Sequence, residues 1–244
     1  MLVACDFHNH SCLSPCGSLE QSPAALARLA HARGLELVAL TDHNSALNAP
    51  AFAECVAREG LHALFGMEAT SAEEVHVLCL FSDLRAALDF SAFIAGHLPR
   101  LRFDPARLGD QVVVDADENI LDQPETYLGA ALDLGFDQLC EAAAAREALV
   151  IPAHVDRPMF GAISQLGFLP EGPFSAVEAV RPLSASAARG YTVITGSDAH
   201  YPEHVARRPF GLELPDGWNS GTRVNLEAIR QALRAGRVRL PFGP

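Results

Sequence analysis

Residues 2–10, LVACDFHNH, place a short apolar run directly before two histidines separated by one residue. Residues 35–43, LELVALTDH, have the same form, with an apolar run that ends in polar residues. Between them, residues 23–33 are rich in Ala and Leu, with Ser22 at the N-cap position and Gly34 after the last turn. This order predicts a strand–helix–strand unit in which polar side chains follow the carboxyl ends of the strands.

The same alternation continues along the chain and predicts an α/β fold with a largely parallel sheet and helices outside it. The stretch 99–127 interrupts the alternation, and its sequence QVVVDADENIL predicts a hairpin with a polar turn. We expect one domain over residues 1–244, with 99–127 as an insertion. Further strands are expected at 62–67, 75–81, 149–152, 176–180 and 191–195, and further helices at 50–59, 84–97, 137–147 and 225–235.

The composition narrows the classes of partner. The chain has 244 residues and a formal net charge of −12, and all of its 18 basic residues are arginine. Such a balance argues against a basic face for long nucleic acid. With no apolar run of membrane-spanning length and no basic, signal-like start, we expect no membrane partner and a cytoplasmic location. The six cysteines are irregularly spaced and do not predict a disulfide framework.

Residue types that bind metals recur at or just after the predicted strand ends. Each has a simpler explanation when taken alone: an exposed pair for His8 and His10, a helix cap for Asp42, or a hydrogen-bonded core imidazole for His76. Because the strand ends of a parallel barrel converge at one face, their joint placement predicts one cluster. The candidates are His8, His10, His43, Glu68, His76, His154, Asp198 and His200.

Six histidines and two carboxylates exceed the needs of one ion, since a catalytic site commonly uses three or four protein ligands per metal. We therefore expect two or three divalent ions, and imidazole with carboxylate ligands suits Mn, Fe or Zn. Arg157 follows His154 by three residues. It can hold a phosphoryl oxygen at the same opening, or it can form a surface ion pair.

The motifs DFHNHSCLSPCG, LTDHN, GMEAT, EEVHVLCLF, IPAHVDR and TGSDAH occur in that order between residues 6 and 200. Together they resemble the PHP family, named for polymerase and histidinol phosphatase. The resemblance implies a distorted (β/α)7 barrel and a site of two or three metals that hydrolyses phosphoesters. It implies one ligand set of His8, His10, Glu68 and Asp198, a second of Glu68, His76 and His154, and a third of His43, His200 and a loop residue.

Family members usually have Asp or His at that loop position, where this chain offers Cys16. A thiolate there would favour softer metals such as Zn or Fe. The resemblance also implies that a hydroxide bridging two ions attacks phosphorus, with Asp198, His200 and Arg157 in catalytic roles. In this scheme His200 or water protonates the leaving alkoxide, and Arg157 and Arg181 contact the phosphate.

The expected activity is therefore that of a metal-dependent phosphoric ester hydrolase. Its expected substrate is a small phosphorylated metabolite or nucleotide. Two alternatives are a non-catalytic module that binds a phosphorylated ligand through metals, and hydrolysis at carbon of the amidohydrolase type. The absence of lysine, and hence of a carboxylated lysine, favours phosphorus over carbon.

Overall fold

The computed structural model describes residues 1–101 and 103–241, in which strands and helices alternate from the start of the chain. Every helix in these two ranges is too short or too polar to cross a membrane. The strands are β1 (Leu2–Asp6), β2 (Leu37–Leu40), β3 (His62–Thr70), β4 (His76–Phe81), β5 (Val113–Val114), β6 (Ile120–Asp122), β7 (Leu149–Pro152), β8 (Val177–Glu178), β9 (Val193–Ile194), β10 (Phe210–Glu213), β11 (Asn219–Ser220), β12 (Arg223–Val224) and β13 (Val238–Arg239). The helices are α1 (Pro23–Ala32), α2 (Ala49–Arg58), α3 (Leu84–Ala95), α4 (Pro105–Leu108), α5 (Phe136–Ala144), α6 (Ala162–Leu166) and α7 (Leu226–Arg234).

A seven-stranded sheet lies at the centre, in the order β13-β10-β1-β2-β3-β4-β7. β1, β2 and β3 are parallel neighbours, whereas β4 is antiparallel to β3 and β7, and β10 is antiparallel to β1 and β13. The expectation of a largely parallel sheet is therefore wrong. The connection between β3 and β4, residues 71–75, is too short for the crossover of a dozen or more residues that a parallel pair needs, so β4 turns back beside β3.

The sheet curls into a half-barrel, and the parallel pair β8–β9 extends it. The amide of Val155, just after β7, donates to the carbonyl of Glu178 in β8 (2.8 Å). At the other side, a parallel bridge joins Asn9 to Ala199 in the segments that follow β1 and β9. The result is the distorted barrel that the family resemblance implies. β8 and β9 are shorter than the strands expected at 176–180 and 191–195.

The first long helix begins where the capping residues predict. The hydroxyl of Ser22 accepts a hydrogen bond from the amide of Ala25 (3.0 Å), and Pro23 occupies the first turn of α1. Leu26 of α1 is fully buried and belongs to the same apolar core as Val38 of β2. The cap and this apolar contact together fix α1 against the outer face of the sheet.

Apolar cores cover both faces of the sheet, and the polar cluster lies on the inner one. Met67 belongs to the outer core, with the buried residues of α3 and α5. Leu64 and Leu78 belong to the core on the inner face. Because side chains alternate along a strand, Glu68 and His76 project from the same face as these two leucines.

Residues 99–127 contain α4 and the antiparallel hairpin β5–β6, which confirms the hairpin predicted there. The amide of Val112 donates to the carbonyl of Cys12 (3.0 Å) in the loop after β1. The side chain of Asn48 also donates to the carbonyl of Val112 (3.1 Å). This stretch therefore packs against the loop that follows the first two histidines. Residue 102 lies outside the described residues.

We expect Gly66→Ala to destabilise the protein by roughly 1–3 kcal/mol, as overpacked sites do. A β-carbon at position 66 would overlap the carbonyl oxygen of Cys79, so β3 and β4 would have to separate. Urea unfolding of the metal-free protein measures the change. Gly96→Ala at the end of α3 is the matched control, because its β-carbon approaches only the carbonyl of Phe93, at 3.2 Å. Equal stability losses in the two variants would contradict the expected strain.

Candidate metal centre

The segment after β1 is fixed to its neighbours before it presents its two histidines. The amide of His10 donates to the carbonyl of Ala199 (2.9 Å). The side chain of Asn9 donates to the carbonyl of Ala39 in β2 (3.3 Å). His8 and His10 are completely buried, and the segment that carries them is hydrogen-bonded to neighbouring segments on both sides.

Glu68 lies at the end of β3 with an exposed fraction of 1%, and its carboxylate is the centre of the cluster. One carboxylate faces five of the six predicted imidazoles, with a different set at each oxygen. A carboxylate that uses both oxygens in this way can serve two ions. Oε1 lies 2.8 Å from His76 Nδ1, 2.9 Å from His154 Nε2 and 3.2 Å from His8 Nε2, and Oε2 lies 3.2 Å from His43 Nδ1 and 3.3 Å from His10 Nε2.

Asp198 brings a second carboxylate to the same pair of histidines. Its Oδ1 lies 3.4 Å from His8 Nε2 and 3.5 Å from His10 Nε2. The same oxygen lies 3.3 Å from His200 Nδ1. Its Oδ2 accepts a hydrogen bond from Arg157 Nη1 (2.7 Å), so the guanidinium reaches the edge of the cluster.

Three groups of side chains have ligand atoms within 4.8 Å of one another. The first group is the first ligand set implied by the resemblance. The second contains His43 where the implied set has His154, although His154 also contacts Glu68. The third contains His10 where the implied set has a loop residue. The groups are His8, His10, Glu68 and Asp198; His43, Glu68 and His76; and His10, His43 and His200.

Cys16 belongs to none of these groups in the part of the chain that the structure describes. The residue as a whole is exposed, in the loop after β1. Desolvation of the thiol, followed by the negative charge of Glu68, raises the pKa of Cys16 to about 12, which opposes the thiolate that ligation needs. The neighbour of His200 is instead His10, with 3.9 Å between the two ring centroids.

The donor set fits a metal centre better than a network of hydrogen bonds. His8 Nε2 and His10 Nε2 are 3.2 Å apart, a distance at which two lone pairs need a proton or a cation between them. Glu68 Oε2 and His43 Nδ1 are buried and have no hydrogen-bond partner among the described residues. Divalent cations would satisfy both the converging lone pairs and the unpaired oxygen.

The electrostatics of the cluster distinguish residues whose protonation state suits metal binding from two histidines that hold a proton. Burial opposes ionisation of Glu68, but the charge of His76 and its neighbours holds the pKa of Glu68 well below its usual range. Burial, followed by the charge of His10, lowers the pKa of His43 and brings the pKa of His200 to about 3. Near neutral pH Glu68 is therefore ionised, and His43 and His200 are neutral, as ligation requires. Burial opposes a positive charge on His8 and His10, but the neighbouring carboxylates raise the pKa of both, so a metal ion would displace a proton there.

Asp42 anchors the loop that carries His10 and does not cap a helix, since Asn48 precedes α2. Its carboxylate accepts hydrogen bonds from the amide and the hydroxyl of Ser11, both at 2.6 Å. It also accepts from the hydroxyl of Ser14 (2.7 Å), which lies 2.9 Å from His10 Nδ1. Sequence reasoning missed this support, because Ser14 carries no signal of its own in a loop rich in small residues.

Glu178 is a second residue that the sequence did not single out. It lies in β8 with an exposed fraction of 1%, and its Oε2 is 2.9 Å from His8 Nδ1. The available signal was a glutamate inside the apolar segment AVEAV, because a buried charge requires a partner.

Two adjacent arginines hold the backbone of the TGSDAH motif. Arg207 Nη2 donates to the carbonyl of Asp198 (3.2 Å), and Arg208 Nε donates to the carbonyl of Gly196 (2.9 Å). Asp198 has a φ of 47°, in the left-handed region that is costly for residues other than glycine. The two arginines lie in a stretch rich in Pro and Gly, and no spacing rule connects them to the motif.

Arg181 lies apart from the polar contacts of the cluster within the described ranges. Its side chain is 72% exposed, and its Nε is 3.9 Å from Asp156 Oδ2. Arg157, in contrast, pairs directly with Asp198. Arg157 therefore lies at the cluster, whereas Arg181 lies apart from it.

Several solved structures share this fold. The lesion-specific endonuclease Q of Pyrococcus furiosus aligns with a TM-score of 0.67 and 19% identity, over 98% of this chain and 58% of the endonuclease chain. A Bifidobacterium adolescentis protein assigned as a metal-dependent phosphoesterase aligns with a TM-score of 0.61 and 19% identity, over 94% and 95% of the two chains. An amidohydrolase from Chromobacterium violaceum aligns with a TM-score of 0.54 and 19% identity, over 97% and 98%. At these identities the likeness concerns the fold, and this chain spans less than two thirds of the endonuclease.

The family comparison adds sequence evidence to the likeness in fold. No curated protein sequence matches the chain. The PHP domain matches residues 6–144, more than half of the chain, and this range holds the motifs from DFHNHSCLSPCG to EEVHVLCLF. The motifs IPAHVDR and TGSDAH lie beyond it, and the fold brings their histidines and Asp198 to the same cluster. The chain therefore belongs to the PHP domain family.

Proposed function

We propose that this protein is a metal-dependent phosphoesterase that hydrolyses a small phosphorylated metabolite or nucleotide. The observation that carries the proposal is the carboxylate of Glu68, which two groups of metal-binding side chains share. A shared carboxylate suits two ions about 3.5–4 Å apart, the spacing that phosphoryl-transfer enzymes use. Membership of the PHP domain family supports the same class of chemistry.

We assign the ligands by their contacts with the two carboxylates. Divalent ions bound there would supply Lewis acidity toward phosphoryl oxygens and would lower the pKa of water. His200 is assigned to the ligands because its ring nitrogen lies within 4.8 Å of those of His10 and His43, which leaves water to protonate the departing alkoxide. The proposed sets are His8, His10, Glu68 and Asp198; Glu68, His76 and His154; and, for a third ion, His43 and His200, because the single lone pair of neutral His10 is used in the first set.

Arg157 is proposed to bind a phosphoryl oxygen of the substrate. Its side chain is 37% exposed and donates to Asp198, so the guanidinium stands between the buried cluster and solvent. The planar fork of N–H donors matches phosphoryl oxygens and neutralises the charge that develops on them. The ion pair with Asp198 holds the guanidinium at the solvent edge of the cluster, where a substrate would enter.

The depth of the cluster favours a terminal phosphate on a small molecule. The side chains of His43, His76 and Asp198 are each 9% exposed, and those of His8 and His10 are fully buried. A terminal phosphoryl group can enter such a recess without neighbours on both sides, unlike the internal phosphodiester of a duplex. The net charge of −12 also opposes long nucleic acid.

We expect the Mn²⁺-loaded protein to release inorganic phosphate from at least one compound in a panel of sugar phosphates, amino-alcohol phosphates and nucleotides. His76→Ala should lower kcat by roughly 100-fold or more, because loss of a ligand costs at least as much as loss of a supporting residue. A colorimetric phosphate assay measures both. His97→Ala, which removes an exposed imidazole paired with Asp133, is the control and should keep its activity.

The panel also includes phosphorylated single strands and a duplex with an abasic lesion, because a structural neighbour is a lesion-specific endonuclease. Cleavage of these, without phosphate release from small compounds, would contradict the small substrate while keeping phosphoester hydrolysis. No reaction with any member, in folded and metal-loaded protein, would contradict the proposed activity itself.

Glu68→Gln should remove more bound metal than His76→Ala or His154→Ala, because its carboxylate serves two groups. Metal analysis after dialysis against limiting Mn²⁺ or Zn²⁺ gives the stoichiometry. Chelation should also lower the Tm of the wild type, since ions at 100 times their Kd stabilise a fold by about 2.7 kcal/mol. Glu213→Gln, at an exposed ion pair with Arg239, is the matched control. An unchanged stoichiometry in Glu68→Gln would refute the shared carboxylate.

Arg157→Ala should lower kcat/KM by roughly 10- to 100-fold, since a hydrogen bond to a charged group contributes about 1.5–3 kcal/mol. Bound metal should stay at the wild-type level, because Arg157 supplies no ligand. Steady-state kinetics with the best substrate of the panel measure the change. Arg181→Ala removes an exposed arginine of the same charge and should stay within about twofold of wild type. The reverse order of effects would assign the phosphate contact to Arg181.

A further inference from the structure

We propose that Glu178 is a positioning residue that fixes the tautomer and the orientation of His8, so that His8 Nε2 faces the metal centre. Glu178 Oε2 lies 2.9 Å from His8 Nδ1. Nε2 of the same ring lies 3.2 Å from Glu68 Oε1 and 3.4 Å from Asp198 Oδ1. The two nitrogens of one imidazole are thus divided between a supporting carboxylate and the cluster.

This division decides which nitrogen can bind a metal. A neutral imidazole carries one N–H and one lone pair, and an ionised carboxylate is an acceptor only. In the neutral form of His8 that binds a metal, Glu178 therefore holds the N–H at Nδ1 and leaves the lone pair at Nε2. The corresponding neighbour of His10 Nδ1 is the hydroxyl of Ser14, which donates its proton to Asp42 and therefore accepts from His10.

The surroundings of Glu178 are built for this contact. Its other oxygen, Oε1, is buried and has no hydrogen-bond partner among the described residues, so His8 is the partner of its side chain. A β-carbon at Gly196 would overlap Glu178 Oε2 and would lie 2.8 Å from His8 Cβ. The glycine of the TGSDAH motif therefore leaves the space in which the carboxylate meets the imidazole.

A purely structural role predicts a different behaviour from a positioning role. A carboxylate kept for stability would be expected to engage fixed donors with both oxygens, because an unpaired buried oxygen is costly. Glu178 pairs with one ring nitrogen only, so loss of its charge should not destabilise the metal-free fold. It should instead weaken the metal that His8 binds, as loss of a group that orients a ligand does.

The test compares Glu178→Gln with wild type by calorimetric titration of chelated protein with Mn²⁺ or Zn²⁺, and by the visible spectrum of the Co²⁺ form. The amide keeps the size of the side chain but can also donate to Nδ1, which permits the wrong tautomer. We expect at least one binding step to weaken by about 10- to 100-fold, with an altered Co²⁺ spectrum. Glu213→Gln makes the same chemical change at an exposed strand and should match wild type.

Glu178→Asp is the second variant, because it keeps the charge but withdraws it from Nδ1, and the same selective weakening is expected. Metal affinities within twofold of wild type in both variants would overturn the inference. So would a loss of affinity that only follows a lower urea midpoint of the metal-free protein, since that would mark a structural role. The inference rests on the metal centre of the proposed function, but these readouts need no substrate. They therefore separate its failure from failure of the proposed phosphoesterase activity.

Discussion

The burial of one ionised carboxylate, that of Glu68, is the constraint on which the rest of the site depends. Removing such a group from water costs several kcal/mol unless other groups replace the lost hydration. Here five imidazoles replace it. Burial would raise the pKa of the carboxyl group, but the charges of His76 and His8 and hydrogen bonds from His10 and His154 hold it low. These imidazoles come from the ends of β1, β2 and β7 and from the start of β4. The carboxylate can therefore be satisfied only when the ends of β1, β2 and β7 and the start of β4 meet beside Glu68.

The architecture meets this requirement by departing from a regular parallel barrel. β4 runs back along β3, so its first residue, His76, lies opposite Thr70, near Glu68 at the end of β3. Close approach of these two strands at Gly66 leaves no room for a β-carbon. A parallel β4 would begin at the far end of β3, and His76 at its start could not reach the cluster. The direction that the sequence pattern failed to predict is thus the one that the site needs.

The sequence predicts which side chains meet in the cluster because their positions follow local rules. Alternation along β3 and β4 places Glu68 and His76 on the same face of the sheet. The other members of the cluster follow the ends of apolar runs. Strand direction was predicted wrongly because apolar runs carry no sign of direction, although the short 71–75 connection does. Glu178 and Arg207 were missed because each acts on a residue from a distant segment or a loop without periodicity. Tertiary contacts of this kind leave no trace in spacing.

Two of the proposed ligands, His154 and Asp198, adopt left-handed backbone conformations, with φ of 29° and 47°. Such conformations cost about 1–2 kcal/mol per residue, so the surrounding structure must hold them. Arg207 does so at Asp198 by donating to its carbonyl, while the apolar inner core around Leu64 and Leu78 stays intact beneath the cluster. Within the site, strain and charge thus lie at the strand ends, above the apolar core. This separation lets the ligand residues be shaped by metal binding, because the fold does not depend on them for its core.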